Sequence, residues 1–198
     1  GKKISKTPFK KITFKESMLK YGSDKPDLRI PIEISDVTDI FKSDEIKLEI
    51  FKKQINKNSI VRAIPAKNTK GKSRSFFDNF NEWAKSEGAG GLAYISLEKS
   101  NNSFKASGPI AKFFSKKALN ELKKKCKITD GDSLFFICDR QEIAEKISGL
   151  TRQKIAKELK LIDENVFEFC WITDFPLYKY DEDLKKIDFS HNPFSMPN

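Results

Sequence analysis

Long apolar runs, closely spaced cysteines and glycine-rich loops are all missing from this 198-residue sequence. No apolar stretch is long enough to cross a membrane, and the basic, polar start has no apolar segment like that of a secretion signal. Cys126, Cys138 and Cys170 lie far apart, which excludes the close pairs that zinc or redox sites need. We therefore expect reduced core thiols in a cytoplasmic protein without a membrane partner.

The sequence does contain enough apolar residues for a core, and it carries an excess of positive charge. Hydrophobic residues make up 38% of the chain and include 17 Phe, so we expect a folded protein. A formal charge of +10 favours a polyanionic partner such as nucleic acid. The evidence is mild, because a generally lysine-rich composition produces the same excess.

The alternation of apolar and polar residues predicts a compact α+β unit over residues 30–163. We expect a two-layer sandwich, with a mixed or antiparallel sheet and helices on one face. The predicted strands are residues 60–64, closed by Pro65, then 92–98, a stretch near Phe104, and 133–138. The predicted helices are one from Thr13 to Lys20 before the unit, one capped by Ser75 and ending at Gly88, one capped by Ser115, and residues 140–161, weakened at Gly149.

The tail of the chain predicts a buried strand followed by a rigid loop. Residues 167–178 form an aromatic, β-branched run that we expect to be buried on both faces. Residues 190–197 hold the one histidine, His191, between a serine and two prolines that restrict the backbone. Because no strands follow that could flank Trp171, we interpret the sequence as a piece of a larger protein.

Two functional alternatives rest on local patterns. Residues 66–73 follow a strand, precede a helix and include Lys72, which is the loosest form of a phosphate-binding loop; with the acidic strand 134–139 it would indicate a nucleotide hydrolase. Only Gly71 lies inside that loop, which weakens the pattern. The lysines of the helix after Ser115 would suit a non-catalytic nucleic-acid-binding module, although such lysines more often form a solvated face.

Three segments together resemble one family. Residues 21–29 (Tyr-Gly-Ser-Asp-Lys-Pro-Asp-Leu-Arg), 171–177 (Trp-Ile-Thr-Asp-Phe-Pro-Leu) and 191–197 (His-Asn-Pro-Phe-Ser-Met-Pro) are closely similar to bacterial-type aspartyl-tRNA synthetases. In that family a GAD domain interrupts the class II catalytic core. The resemblance implies that residues 1–29 leave the core, 30–163 form the GAD domain, and 164–198 return to the core.

The resemblance also implies an activity. The family activates L-aspartate with ATP and Mg²⁺ and transfers it to tRNA(Asp), and many members also charge tRNA(Asn). The complete enzyme is expected to be a homodimer. Its catalytic and metal-binding residues would lie outside these 198 residues, so we expect this piece alone to be monomeric, inactive and without bound cofactor.

The resemblance assigns one substrate contact within the sequence, and charge suggests a second surface. His191 matches the first histidine of the family's His-His-Pro-Phe loop and would contact L-aspartate, whereas Asn192 replaces the second histidine. Lys123, Lys124 and Lys125 are the expected contacts to the tRNA backbone.

Overall fold

The computed structural model describes residues 1–100, 103–181 and 184–190. The strands are β1 (Lys3–Ile4), β2 (Lys10–Thr13), β3 (Ser35–Asp36), β4 (Ile60–Ala66), β5 (Ala93–Ser100), β6 (Ser103–Ser107), β7 (Ser133–Asp139), β8 (Val166–Phe167), β9 (Cys170–Thr173), β10 (Tyr178–Asp181) and β11 (Lys186–Phe189). The helices are α1 (Phe14–Tyr21), α2 (Thr38–Lys42), α3 (Glu49–Ile55), α4 (Arg74–Ser86), α5 (Lys116–Cys126) and α6 (Gln141–Glu158).

A five-stranded sheet in the order β3-β4-β7-β5-β6 forms the centre of the fold, and every neighbouring pair in it is antiparallel. The α+β class and the antiparallel sheet are therefore confirmed. The predicted hairpin is also present, because β5 pairs with β6 from Ser96↔Ser107 to Ser100↔Ser103.

Helices cover both faces of this sheet, not one face as predicted. Successive residues of β7 point to opposite sides, so Phe136 joins a cluster with Phe41 and Leu122, and Phe135 joins another with Phe80. Helices α2, α3 and α5 contribute to the first cluster, and α4 and α6 to the second. The continuous apolar run of β7 results from this burial on both faces.

The helix boundaries follow local capping chemistry. Thr13 accepts a hydrogen bond from the backbone N–H of Glu16 at 3.1 Å, and Ser115 accepts one from Ala118 at 3.1 Å, so both predicted caps are confirmed. The cap of α4 is Ser73 and not Ser75, because the extended Ser73 accepts the hydrogen bond from the N–H of Phe76.

Pro65 does not end its strand. It stays in register opposite Leu134, and β4 continues to Ala66. At this point β4 has a neighbour on one side only, because β3 pairs only with Arg62 and Ala63. A proline is tolerated where one side of a strand has no partner, since its missing N–H breaks no ladder there.

The two ends of the described chain pair with each other. Strand β1 runs parallel to β8, and β2 parallel to β9, as two separate two-stranded sheets. The tail strand is not buried on both faces as predicted: the side chain of Trp171 is 60% exposed. Within the described residues β9 pairs with β2 alone, and this small sheet leaves most of the Trp171 side chain in contact with solvent.

Two of the three cysteines are core thiols as expected. Burial raises the pKa of Cys126 to about 11 and that of Cys138 to about 12, so neither is a reactive thiolate at neutral pH. Cys170 on β9 is only partly buried. Among the described residues, no helix has the length and apolar character needed to cross a membrane.

Candidate functional site

A buried arginine joins the central unit to the segment that leads into it. Arg152 lies on α6 and is 1% exposed. Its Nε donates to the carbonyl of Ile32 at 2.7 Å, and its Nη2 donates to the carbonyls of Asp27 and Ile30 at 2.8 and 2.9 Å. Burial lowers the pKa of Arg152 to about 10, which still leaves the guanidinium charged at neutral pH. One side chain therefore fixes the path of residues 27–32.

The contact between α6 and residues 22–32, which we call the junction, also brings two backbones unusually close. A Cβ on Gly149 would collide with the backbone of Gly22, and a Cβ on Gly22 would collide with the backbone of α6 at Glu145 and Gly149. Gly22 also has φ 64°, the left-handed conformation that ends α1. Helix α6 runs unbroken through Gly149, and the missing side chain there lets α1 approach.

The loop before the junction is held by its own charges. Arg29 donates to both carboxylate oxygens of Asp27, from Nε at 2.9 Å and Nη2 at 2.7 Å. This hydrogen bonding holds the pKa of Asp27 below its usual value, against the opposing effect of partial burial. Ser17 on α1 donates to the carbonyl of Ser23 at 2.6 Å. The loop is thus attached to both α1 and α6.

A cavity of about 530 Å³ lies beside the junction, and we call it the junction cavity. Tyr21 and Ile30 belong to its apolar wall. Its charged lining residues come from separate parts of the chain and are Lys10, Glu33, Lys67, Lys125, Lys127 and Glu168.

The structure separates the three lysines that were predicted to contact tRNA. Lys123 places its Nζ 4.0 Å from the ring centroid of Phe104, a cation–π contact within the fold. Lys124 is exposed on α5, and Lys125 lines the junction cavity. Consecutive residues of a helix point about 100° apart, so the three lysines meet different surroundings, but the partner of each depends on elements distant in sequence.

Asp132 holds the loop that resembled a phosphate-binding loop. This carboxylate is 1% exposed and accepts hydrogen bonds from the N–H of Asn68 at 2.9 Å, the N–H of Thr129 at 2.8 Å and Lys67 Nζ at 3.0 Å. Burial alone would raise the pKa of Asp132, but these hydrogen bonds outweigh it and the pKa lies below its usual value. The N–H of Lys70 likewise donates to the carbonyl of Gly131.

This arrangement argues against the nucleotide hydrolase alternative. Two backbone N–H groups that would have to cradle phosphate, those of Asn68 and Lys70, are already used within the fold. The β4–β7 register places Ala66 opposite Ser133 and Ile60 opposite Asp139. Asp139 therefore lies at the other end of the strand, about 20 Å from the loop at roughly 3.4 Å per residue, too far to share a metal ion with it.

We expect Asp132→Asn to lower the free energy of unfolding by about 2 kcal/mol at neutral pH, because an amide NH₂ would replace a charged acceptor facing N–H donors. A carboxylate with a lowered folded-state pKa stabilises the fold above its unfolded pKa, and that stabilisation is lost as pH falls through the folded pKa. The difference between variant and wild type should therefore be constant above about pH 5 and shrink as the pH falls further in urea titrations. Asp78→Asn, at an exposed carboxylate on α4, is the control; an equal loss there would contradict the argument.

Other predicted or implied site residues are not brought together here. His191 lies outside the described residues, as does Asn192. Within the described part of the chain, no group of three His, Cys, Asp or Glu side chains could hold a metal ion.

The position of Arg152 in the sequence carries a signal that the predicted site residues did not include. The buried stripe of α6 includes Ala144, Ile147, Thr151 and Ile155, and Arg152 falls inside it. A charged residue on the buried side of a helix needs partners, since burying an unpaired charge is costly. That spacing indicates a structural or functional ion site, but it does not identify the carbonyl acceptors.

Comparison with known proteins gives the family. Residues 51–148 match the GAD domain. The chain is 56% identical over 196 residues to an aspartate–tRNA(Asp/Asn) ligase of Pelagibacter ubique, 55% identical to one of Rickettsia canadensis and 49% identical to one of Beijerinckia indica. These alignments cover 99–100% of the chain but only 32–33% of each relative, so the chain spans about a third of their length. The chain therefore belongs to the aspartate–tRNA ligase family and includes its GAD domain.

Proposed function

We propose that this chain is part of an aspartate–tRNA ligase that activates L-aspartate with ATP and Mg²⁺ and transfers it to tRNA(Asp) and tRNA(Asn). The observation that carries the proposal is a sequence identity of 55–56% to two such ligases over 99% of the chain. The relatives are named as ligases for both tRNA(Asp) and tRNA(Asn), which supports the dual specificity. We further propose a cytoplasmic homodimer for the complete enzyme, and a monomer for this chain alone.

Strand pairing supports a division of the chain into a GAD domain and two pieces of a catalytic core. Residues 1–29 and 164–198 meet through the β1–β8 and β2–β9 pairs, outside the central sheet. The match to the GAD domain falls inside residues 30–163. We propose these boundaries, with the flanks as the outgoing and returning edges of one core.

The surface of the returning edge suits packing against the rest of such a core. In the β10–β11 hairpin, Tyr178 lies opposite Phe189 and Tyr180 opposite Ile187, so all four occupy one face. Each of the four side chains is more than half exposed. A two-stranded hairpin is at best marginally stable in water, and burial of this face would stabilise it. We propose that the remaining ligase sequence covers it.

The residues of this chain have a limited part in the proposed chemistry. Bound Mg²⁺ would neutralise charge at the ATP phosphates. The described residues offer no set of ligands for it, and we assign no chemical step to them. His191 is proposed to contact L-aspartate, on the resemblance of its loop alone.

The test uses the complete ligase and the 198-residue chain side by side. We expect the complete enzyme to catalyse aspartate-dependent ATP–pyrophosphate exchange and to charge tRNA(Asp), and the 198-residue chain to do neither. Exchange by the 198-residue chain alone would show that it holds a complete site and would overturn the proposed division. A complete enzyme that activates another amino acid in place of aspartate would overturn the proposed function.

A further inference from the structure

We propose that the junction cavity binds the phosphodiester backbone of RNA, through Lys10, Lys125 and Lys127. The inference rests on the proposed function and locates a tRNA contact within it. The lysines come from β2 and from the end of α5, so only the folded chain brings them to one opening.

The charge of the cavity favours an anion. Four lysines line it against two glutamates, Glu33 and Glu168. Among the described residues, neither Lys10 nor Lys125 has a salt-bridge partner, whereas Lys127 reaches Glu33 only at 3.4 Å, with its side chain 81% exposed. These three ammonium groups are therefore available to a phosphate. Lys67 is not, because it is held by Asp132 and by the carbonyl of Lys127.

Parts of the cavity wall, including the end of α5 that carries Lys125 and Lys127, are fixed in place. Residues 27–32 are held by the three hydrogen bonds of Arg152, and Ile30 and Ile32 line the cavity. The N–H of Lys127 donates to the carbonyl of Lys123 and closes the end of α5. Lys67 Nζ donates to the carbonyl of Lys127 at 2.6 Å and ties the two walls together. A preformed surface loses less entropy when it binds.

The form of the site favours a polyanion over a small ion. Lys10, Lys125 and Lys127 are exposed and spread around a broad opening. The opening is lined partly by apolar side chains, Tyr21, Leu28 and Pro65 among them. A chain of phosphates can reach several such lysines at once and release counterions at each contact. A single phosphate ion would meet exposed lysines that water screens strongly.

The test is the salt dependence of tRNA(Asp) binding by the complete ligase, comparing wild type with a variant that combines Lys10→Gln, Lys125→Gln and Lys127→Asn. Asparagine is chosen at position 127 because φ there is 51°, a left-handed conformation that asparagine tolerates. We expect the slope of log affinity against log salt to become shallower by roughly two to three units, and affinity at low salt to fall about tenfold. The matched control combines Lys42→Gln, Lys53→Gln and Lys116→Gln, which removes the same charge from exposed positions outside the cavity.

The outcomes distinguish this inference from the proposed function. An unchanged slope, or equal effects of the two triple variants, would overturn the cavity as an RNA site while leaving a charging enzyme intact. Loss of binding accompanied by a lowered thermal midpoint would point to misfolding of the triple variant. The single Lys125→Gln variant then tests the site: it should lower the slope by roughly one unit, and an unchanged slope would overturn the inference. If inorganic phosphate alone competes at concentrations similar to those of tRNA phosphate, the site is one for a small anion and the inference fails. A wild-type enzyme that charges no tRNA would instead contradict the proposed function.

Discussion

Replacing Arg152 by methionine is expected to lower the free energy of unfolding of this chain by about 3 kcal/mol or more. The change removes three hydrogen bonds to carbonyls of residues 27, 30 and 32, and a buried polar group left without a partner costs about 1–3 kcal/mol. Methionine keeps much of the side-chain volume over the ring of Tyr21, so the loss should reflect the hydrogen bonds more than a cavity. Urea unfolding followed by tryptophan fluorescence measures it.

Two comparisons make this result specific. Lys146→Met introduces the same side chain on the exposed face of the same helix and should change stability by less than about 0.5 kcal/mol. Arg152→Lys keeps the charge but not the planar fork, so it should recover only part of the loss. If Arg152→Met unfolds at the wild-type urea concentration, the three carbonyls are satisfied in another way and the junction does not depend on this residue.

Replacing His191 by alanine in the complete ligase is expected to lower kcat/KM for aspartate by roughly ten- to a hundredfold. The proposed hydrogen bond from the imidazole to the charged carboxylate of the substrate is of a kind that contributes roughly 1.5–3 kcal/mol, which converts to that range. The measurement is ATP–pyrophosphate exchange at varied aspartate concentration. KM for ATP and for tRNA should change much less, because neither is proposed to contact this side chain.

The internal comparison among substrates decides the role of His191. If the variant activates aspartate with wild-type kinetics, the role taken from the family loop does not apply to this sequence. If the thermal midpoint falls and all three substrates are affected together, the histidine has a structural role. Asn192→Ala, measured in parallel, shows whether the position at which this sequence departs from the family pattern contributes.

Much of the local structure could be predicted because its causes are local. The caps at Thr13 and Ser115 depend on one side-chain oxygen and a backbone N–H three residues later. The β5–β6 hairpin and the core side of α5 follow from the period of the apolar residues. The family, too, could be recognised from three short segments, and the comparisons confirmed it.

Other features depended on which elements meet, and these the sequence left open. Pro65 could remain in a strand because β4 lacks a second neighbour there. Helices cover both faces of the sheet because apolar helix faces pack on each side of it, α2, α3 and α5 on one and α4 and α6 on the other. Loop 66–73 is not a phosphate-binding loop, because Asp132 accepts a hydrogen bond from the backbone N–H of Asn68 within it.

The sequence by itself determined the class of fold, most of the elements and the family, since each depends on residues close together in the chain. Only the tertiary structure decided what the charged groups do. In the folded chain Arg152 is buried against carbonyls about 120 residues away in sequence. Lys123 makes a cation–π contact with the ring of Phe104, and Lys125 and Lys10 line the same cavity. A charge acts over a few ångströms of space, and no local pattern specifies which distant groups will lie within that reach.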